Sequence, residues 1–119
     1  MQVIPWKSEI TADWARALVL TDLRYKGSLC LELEEESGKR WLLEFKSVQA
    51  WKVTAEECAG SIMTDLPNRG ALFKVEHSNW RHQLGNATPL EKSQHFVVCC
   101  YDEVVEVLAW DCLVTMEMK

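Results

Sequence analysis

The sequence predicts a mainly β domain with an α+β margin: an antiparallel β-sandwich or partly open barrel of 7-8 short strands with one or two short helices. Three observations predict it. Apolar residues alternate with polar ones in short runs, turn-forming residues separate those runs at hairpin spacing, and at least two hairpins can be paired on paper so that one face is uniformly apolar. The 119 residues fit a single domain, 1–119, large enough to bury a core without metal or disulfide support.

Along the chain, the first segment is ambiguous. Ile10, Trp14 and Leu18 recur at helical spacing, whereas residues 17–23 have the apolar, β-branched character of a strand, and a strand from about 15 to 23 is preferred. Tyr25-Lys26-Gly27-Ser28 reads as a turn. The next hairpin has a derivable register. A two-residue loop at Ser37-Gly38 would set Glu34 opposite Trp41 and Glu32 opposite Leu43, burying carboxylates. A three-residue loop, Glu36-Ser37-Gly38 with Gly38 left-handed, sets Leu33, Leu31 and Leu29 opposite Trp41, Leu43 and Phe45, and Glu34 opposite Arg40.

Residues 47–53 read as a further strand, with Val48, Ala50 and Lys52 on one side. Residues 54–57 match a capping box, which predicts a short helix from Thr54 to about Gly60. Residues 64–70 form the longest predicted loop and 72–76 a short strand. Ser78 is a candidate cap for a helical turn carrying Trp80 and Leu84, stopped by Gly85 and Asn86. Residues 95–110, HFVVCCYDEVVEVLAW, form a hairpin with its loop at Asp102-Glu103. Its pairing sets Phe96, Val98 and Cys100 opposite Ala109, Val107 and Val105 as core. The other face sets Cys99 opposite Glu106 and His95 opposite Trp110. Cys112, Val114, Met116 and Met118 alternate as a last strand.

Composition narrows the function classes. The formal charge is −5, which repels phosphate backbones and anionic membranes and favours a basic partner, so neither nucleic acid nor a membrane is expected as a ligand. No apolar run approaches the length of a transmembrane helix, and the first ten residues lack the pattern of a secretory signal; a cytoplasmic protein is expected. The five cysteines are odd in number, and all but Cys58 lie in strand-like runs, so they read as reduced thiols acting as small hydrophobes.

No catalytic constellation is expected, and no metal or cofactor. His77 and His82 are five apart, the wrong spacing for a helical metal pair. Cys99, placed opposite Glu106, would have its thiol pKa raised, and Cys58 sits near the negative end of its predicted helix. Glu106 stands mid-strand among apolar neighbours, where a charge needs a partner. It reads either as a rim carboxylate bonded to a backbone amide or Arg81, or as a buried acid with a raised pKa. Trp80 and Trp110 are hard to bury entirely and suit an interface.

Ser78-x-Trp80, His95-Phe96, Tyr101-Asp102 and Glu106-Val107-Leu108-Ala109 resemble a loose pattern found in small uncharacterised bacterial β-rich proteins. The pattern covers the C-terminal third and brings no established activity. In general type, though not in motif, the chain is also similar to immunity proteins that neutralise bacterial toxins.

The expected function is a non-enzymatic protein-interaction domain, most concretely an immunity- or antitoxin-like stoichiometric inhibitor of a basic partner protein. Its expected surface comprises His95, Tyr101, Glu106, Trp110 and Trp80, with an acidic edge of Glu34, Glu35, Glu36, Asp102 and Glu103 steering the partner. One alternative is a small-ligand-binding barrel or rare hydrolase whose pocket surrounds Glu106 with His95 and Tyr101. Another is a homodimer built on the same hairpin.

Overall fold

The computed structural model describes residues 2–6, 18–59, 71–85 and 91–118. Among them seven strands form one antiparallel sheet: β1 (Gln2–Pro5), β2 (Leu18–Lys26), β3 (Ser28–Glu35), β4 (Lys39–Ala55), β5 (Leu72–Glu76), β6 (Gln94–Cys99) and β7 (Glu103–Met118). Their order across the sheet is β1-β5-β6-β7-β4-β3-β2. A short helix, α1 (Asn79–Gln83), follows β5, and a 3-10 turn (Glu56–Cys58) follows β4. The domain is therefore mainly β, and among the described residues the sheet is curled but not closed, with β1 and β2 as its outermost strands. No helix among the described residues is long and apolar enough to cross a membrane.

The β3–β4 hairpin forms in the register expected from its apolar pattern, with Leu29, Leu31 and Leu33 opposite Phe45, Leu43 and Trp41, and Glu34 opposite Arg40. Gly38 closes the loop at φ 94°, and its N–H bonds the Glu35 carbonyl at 2.9 Å. A side chain there is strained, because a Cβ in left-handed backbone crowds the following carbonyl. Gly38→Ala is expected to cost about 1–2 kcal/mol, read as a lower urea midpoint with an unchanged slope.

Several elements differ from expectation. The strands at 39–45 and 47–53 are one strand, β4, which stays continuous by kinking at Ser47 (φ 53°) and slipping register between Val48 and Ala50. Likewise the last strand continues the preceding one as β7, so two of the strands are long. The predicted helix at Thr54 is replaced by strand through Ala55 and a single 3-10 turn that has no side-chain cap. Pairing with β7 extends to Thr54↔Val104 and Ala55↔Glu103, and this ladder outweighs the local capping signal. β2 is described from Leu18 and runs on to Lys26, past the predicted end at 23, and the predicted start at 15 lies outside the described residues. The helical alternative over Ile10 and Trp14 and the predicted loop at 64–70 lie outside the described residues.

The β6–β7 hairpin keeps both predicted faces but shifts register by two residues. Phe96 pairs with Val107, Val97 with Glu106, His95 with Leu108 and Cys99 with Val104. The turn falls one residue earlier than predicted, at Tyr101-Asp102, where Cys100 N–H donates to the Glu103 carbonyl at 2.8 Å; tertiary bonds flank it, from Tyr101 N–H to the Leu18 carbonyl at 2.8 Å and from Cys99 N–H to the Ala71 carbonyl at 2.7 Å.

The core lies mainly on the inner face. Leu29, Leu31 and Leu33 of β3 share one buried cluster with Phe96 and Val98 of β6, although β4 and β7 separate those strands in the sheet. Only a curled sheet brings them together. Phe96 sits at the meeting point, 4.9 Å from the Trp6 ring and 5.2 Å from Phe45 between centroids. On the outer face a smaller cluster of Phe73, Val75, Val97, Cys99 and Val104 is joined by Ala59 and Val3. The polar site interrupts this second face.

Candidate functional site: a buried Ser–His–Glu chain

The outer face of β6 and β7 carries His95 and Glu106, which sit diagonally because Val97, two residues after His95, is the partner of Glu106. His95 Nε2 lies 2.9 Å from Glu106 Oε1, and both residues are buried, at 3% and 6% exposure. On the other side of the ring, His95 Nδ1 lies 2.7 Å from Ser78 Oγ. Ser78 is 2% exposed and caps α1, where its oxygen accepts from Arg81 N–H at 3.1 Å. Because that oxygen already accepts one bond, its own proton is available for Nδ1. An ionised Glu106 can only accept, so Nε2–H donates to its Oε1 and a neutral ring accepts at Nδ1 from the Ser78 hydroxyl; the chain of bonds runs from serine through histidine to carboxylate.

Lys52, the cross-strand partner of Glu106 on β4, brings its ammonium to 3.6 Å from Oε2. Trp80 of α1 closes the cluster: its ring meets His95 edge-on at 5.2 Å, and Lys52 Nζ stands 4.5 Å from its centroid. No buried side-chain nitrogen or oxygen among the described residues lacks a hydrogen-bond partner. A polar group in an apolar face costs free energy unless paired, and here every member is paired.

Burial pushes the Glu106 carboxyl up, but the hydrogen bond from His95 and the ammonium of Lys52 more than offset it and hold the group below its ordinary value of 4.5. This overturns the expectation of a raised acid and also the pairing with Arg81, whose guanidinium instead donates to the Glu91 carbonyl at 3.1 Å. A carboxyl lowered on folding contributes stability above its unfolded pKa and loses it as pH falls through the folded value. Unfolding midpoints of the wild-type protein should therefore drop between about pH 5 and pH 3, with a shallower drop in Glu106→Gln. Urea titrations across that range check it.

Of the expected interaction residues, the structure brings together His95, Glu106 and Trp80. The first two are buried, so they brace the interior and cannot present themselves to a partner. Trp110 stands on the same face two residues beyond Leu108, partly exposed, with the Lys92 ammonium 5.1 Å from its ring. Tyr101 is exposed in the β6–β7 loop. The expected acidic edge is two separate tips: Glu34, Glu35 and Glu36 lie beside the β3–β4 loop, whereas Asp102 and Glu103 lie at the opposite end of the β4–β7 ladder. Within the first tip, Glu35 accepts from the Trp41 indole N–H, and Arg40 reaches Glu32 at 3.5 Å, although Glu34 is its partner in register. At the second, burial and then Asp102 raise the Glu103 carboxyl.

Ser78 and Lys52 are the site residues that sequence reasoning missed. Ser78 was read as a cap, which it is, but its hydroxyl also serves His95. Sequence alternation sets Lys52 on one side with Val48 and Ala50, but the bulge between Val48 and Ala50 leaves Val48 with the inner cluster and turns Ala50 and Lys52 to the outer face, where Lys52 meets Glu106. Cys99 lies opposite Val104 rather than Glu106, and burial pushes the neighbouring Cys100 thiol far up, with Glu103 and then Cys99 adding to the rise. Cys100 therefore stays a protonated, unreactive thiol. Among the described residues no group of three or more His, Cys, Asp and Glu side chains is arranged to hold a metal ion.

Beside the chain runs an open cleft of about 540 Å³, lined in part by Ser78, His95, Lys74, His77, Arg81 and Gln94. His77, just before Ser78, adopts φ 55°, which swings the chain from β5 into α1. No protein-family model matches this chain, and comparisons with curated proteins and with solved structures find no match.

Proposed function

We propose that the protein is a non-enzymatic protein-interaction domain, acting as an immunity- or antitoxin-like stoichiometric inhibitor of a basic partner. The observation that carries this reading is the placement of large apolar side chains at strand margins in an acidic protein. Tyr25 and Trp51 stack in the open with centroids 4.6 Å apart, near exposed Val53, and Leu113 and Met116 are exposed on β7. Aromatic and aliphatic anchors of this kind supply affinity, while the net charge of −5 accelerates encounter with a cationic surface. The buried polar chain has a supporting role here: with Ser78 committed both to Arg81 N–H and to His95, it pins α1 to the sheet. Affinity capture from the native cytoplasm at low salt should recover a basic protein in a 1:1 complex that dissociates as salt rises. Recovery of no protein partner would remove the support for this reading.

A second reading, a small-ligand pocket or hydrolase, is favoured by one observation. The order serine, histidine, carboxylate beside a cleft is the arrangement that activates a nucleophile. The two readings separate cleanly on a fluorophosphonate probe. Stoichiometric labelling that is lost in Ser78→Ala supports the hydrolase, and an unlabelled protein supports the interaction domain.

A further inference from the structure

The sheet has four open margins among the described residues, and they are not alike. β1 is four residues long and ends in Pro5. β2 carries Asp22, Arg24 and Lys26 and an irregularity between Leu20 and Asp22. The second half of β4, which β3 does not reach, is kinked at Ser47, bulged after Val48 and marked by Lys46 and Lys52. Short length, proline, bulges and lysines are the devices that stop a strand from pairing with another chain. The second half of β7 has none of them.

β6 stops opposite Ala109, so β7 beyond Trp110 is paired on one side only, by β4, in unbroken register from Lys46↔Asp111 to Lys39↔Met118. The near end of the open side is closed: Gln94 Nε2 donates to the Trp110 carbonyl at 2.9 Å, and the Asp111 carboxylate accepts from Cys112 N–H at 2.8 Å. From Leu113 to Glu117 no strand among the described residues pairs on that side. This stretch, LVTME, contains no glycine, proline or cation. It also offers an apolar contact on each face of the sheet, Leu113 at 52% exposure and Met116 at 47%.

We infer that β7 from Leu113 to Glu117 is a docking edge that receives an extended cationic segment of the partner as an added antiparallel or parallel strand. This rests on the interaction reading above and names the surface it uses. Main-chain hydrogen bonds to the edge supply affinity, and alternate side chains supply selection. Charge selects the occupant. Asp111 and Glu117 bracket the edge, so lysines or arginines flanking apolar residues are favoured. A second copy of this chain is disfavoured: antiparallel pairing centred on Val114 would set Asp111 of each copy opposite Glu117 of the other, and like charges directly opposite destabilise a ladder.

The test is hydrogen exchange on the full chain with three nine-residue peptides of the same alternating apolar pattern, carrying lysine, threonine or glutamate at the alternate positions. The lysine peptide should slow exchange of the 113–117 amides by about tenfold or more, and the glutamate peptide should not. Leu113→Lys with Thr115→Lys, two substitutions at exposed positions, should abolish that protection, and Glu117→Lys should weaken it. Protection by none of the peptides overturns the inference, as does protection centred on Trp51 and Val53. Protection that grows with protein concentration without peptide assigns the edge to a second copy and also overturns it. If a captured partner binds the Leu113→Lys/Thr115→Lys protein as tightly as wild type, the edge is wrong and the interaction reading stands. If no partner is captured at all, the interaction reading itself falls.

Discussion

Glu106→Ala is expected to destabilise the protein by about 3–5 kcal/mol, a large share of the roughly 5–15 kcal/mol that holds a domain of this kind together. Removing the carboxylate strips the partner from His95 Nε2 and from the Lys52 ammonium at once, while the histidine stays buried. The loss propagates outward, since His95 also anchors Ser78 and through it the first turn of α1. Glu106→Gln keeps an acceptor for His95 and gives up only the charge, so it should cost less, about 1–3 kcal/mol. Urea unfolding of the two variants side by side measures both. Equal midpoints for wild type and Glu106→Ala would show that the polar chain contributes nothing to the fold.

Phe96→Ala is expected to cost a similar amount, about 3–5 kcal/mol, for an unrelated reason. Its ring joins Phe45 of β4 to Trp6, which lies just beyond β1. The Lys74 ammonium also stands 5.4 Å from its centroid. The cavity left behind cannot be refilled by one neighbour, because those contacts come from different parts of a curled sheet. Thermal unfolding followed by tryptophan emission reads the change directly, since Trp6 loses its ring partner. A loss below about 1 kcal/mol would mean that the interior collapses around the gap and that the curl does not depend on Phe96.

The two expected losses come from features of different legibility. Phe96 was assigned to the core from alternation alone, because a period of two separates faces whatever the register. Glu106 was marked as a carboxylate in need of a partner, but its partner was misassigned. Face assignment survives a two-residue slip of a hairpin, whereas cross-strand neighbours do not. With the loop placed at Asp102-Glu103, His95 faced Trp110 and Cys99 faced Glu106. The observed turn falls at Tyr101-Asp102 and bonds the Leu18 carbonyl of a strand remote in sequence, and in that register His95 lies beside Glu106. The β3–β4 hairpin shows the contrasting case. Burying Glu32 and Glu34 was the penalty of the wrong register, so the charges pinned the right one locally.

Helix signals divided along the same line. Ser78 acts as a cap where no strand among the described residues pairs with residues 79–83, and its hydroxyl accepts from Arg81 N–H as its type and spacing imply. The equally good signal at Thr54 lost to continued pairing with β7. Ser78, Trp80, His95 and Glu106, four residues of the loose pattern in the C-terminal third, meet in one cluster, whereas Tyr101 of the same pattern stands exposed in the β6–β7 loop.

By itself the sequence determined that this chain is mainly antiparallel β, which residues face the core, where the β3–β4 loop turns, and that Glu106 needed a partner. Each of these follows from local alternation, turn chemistry or the cost of burying a charge. Only the tertiary structure decided that two pairs of short strands are single long ones, that the sheet curls without closing, and that Lys52, Glu106, His95 and Ser78 meet. It also decided which margins of the sheet lie open among the described residues, because a strand edge is open or paired according to where its neighbours stop. That is a property of the whole ladder and is written in no single segment.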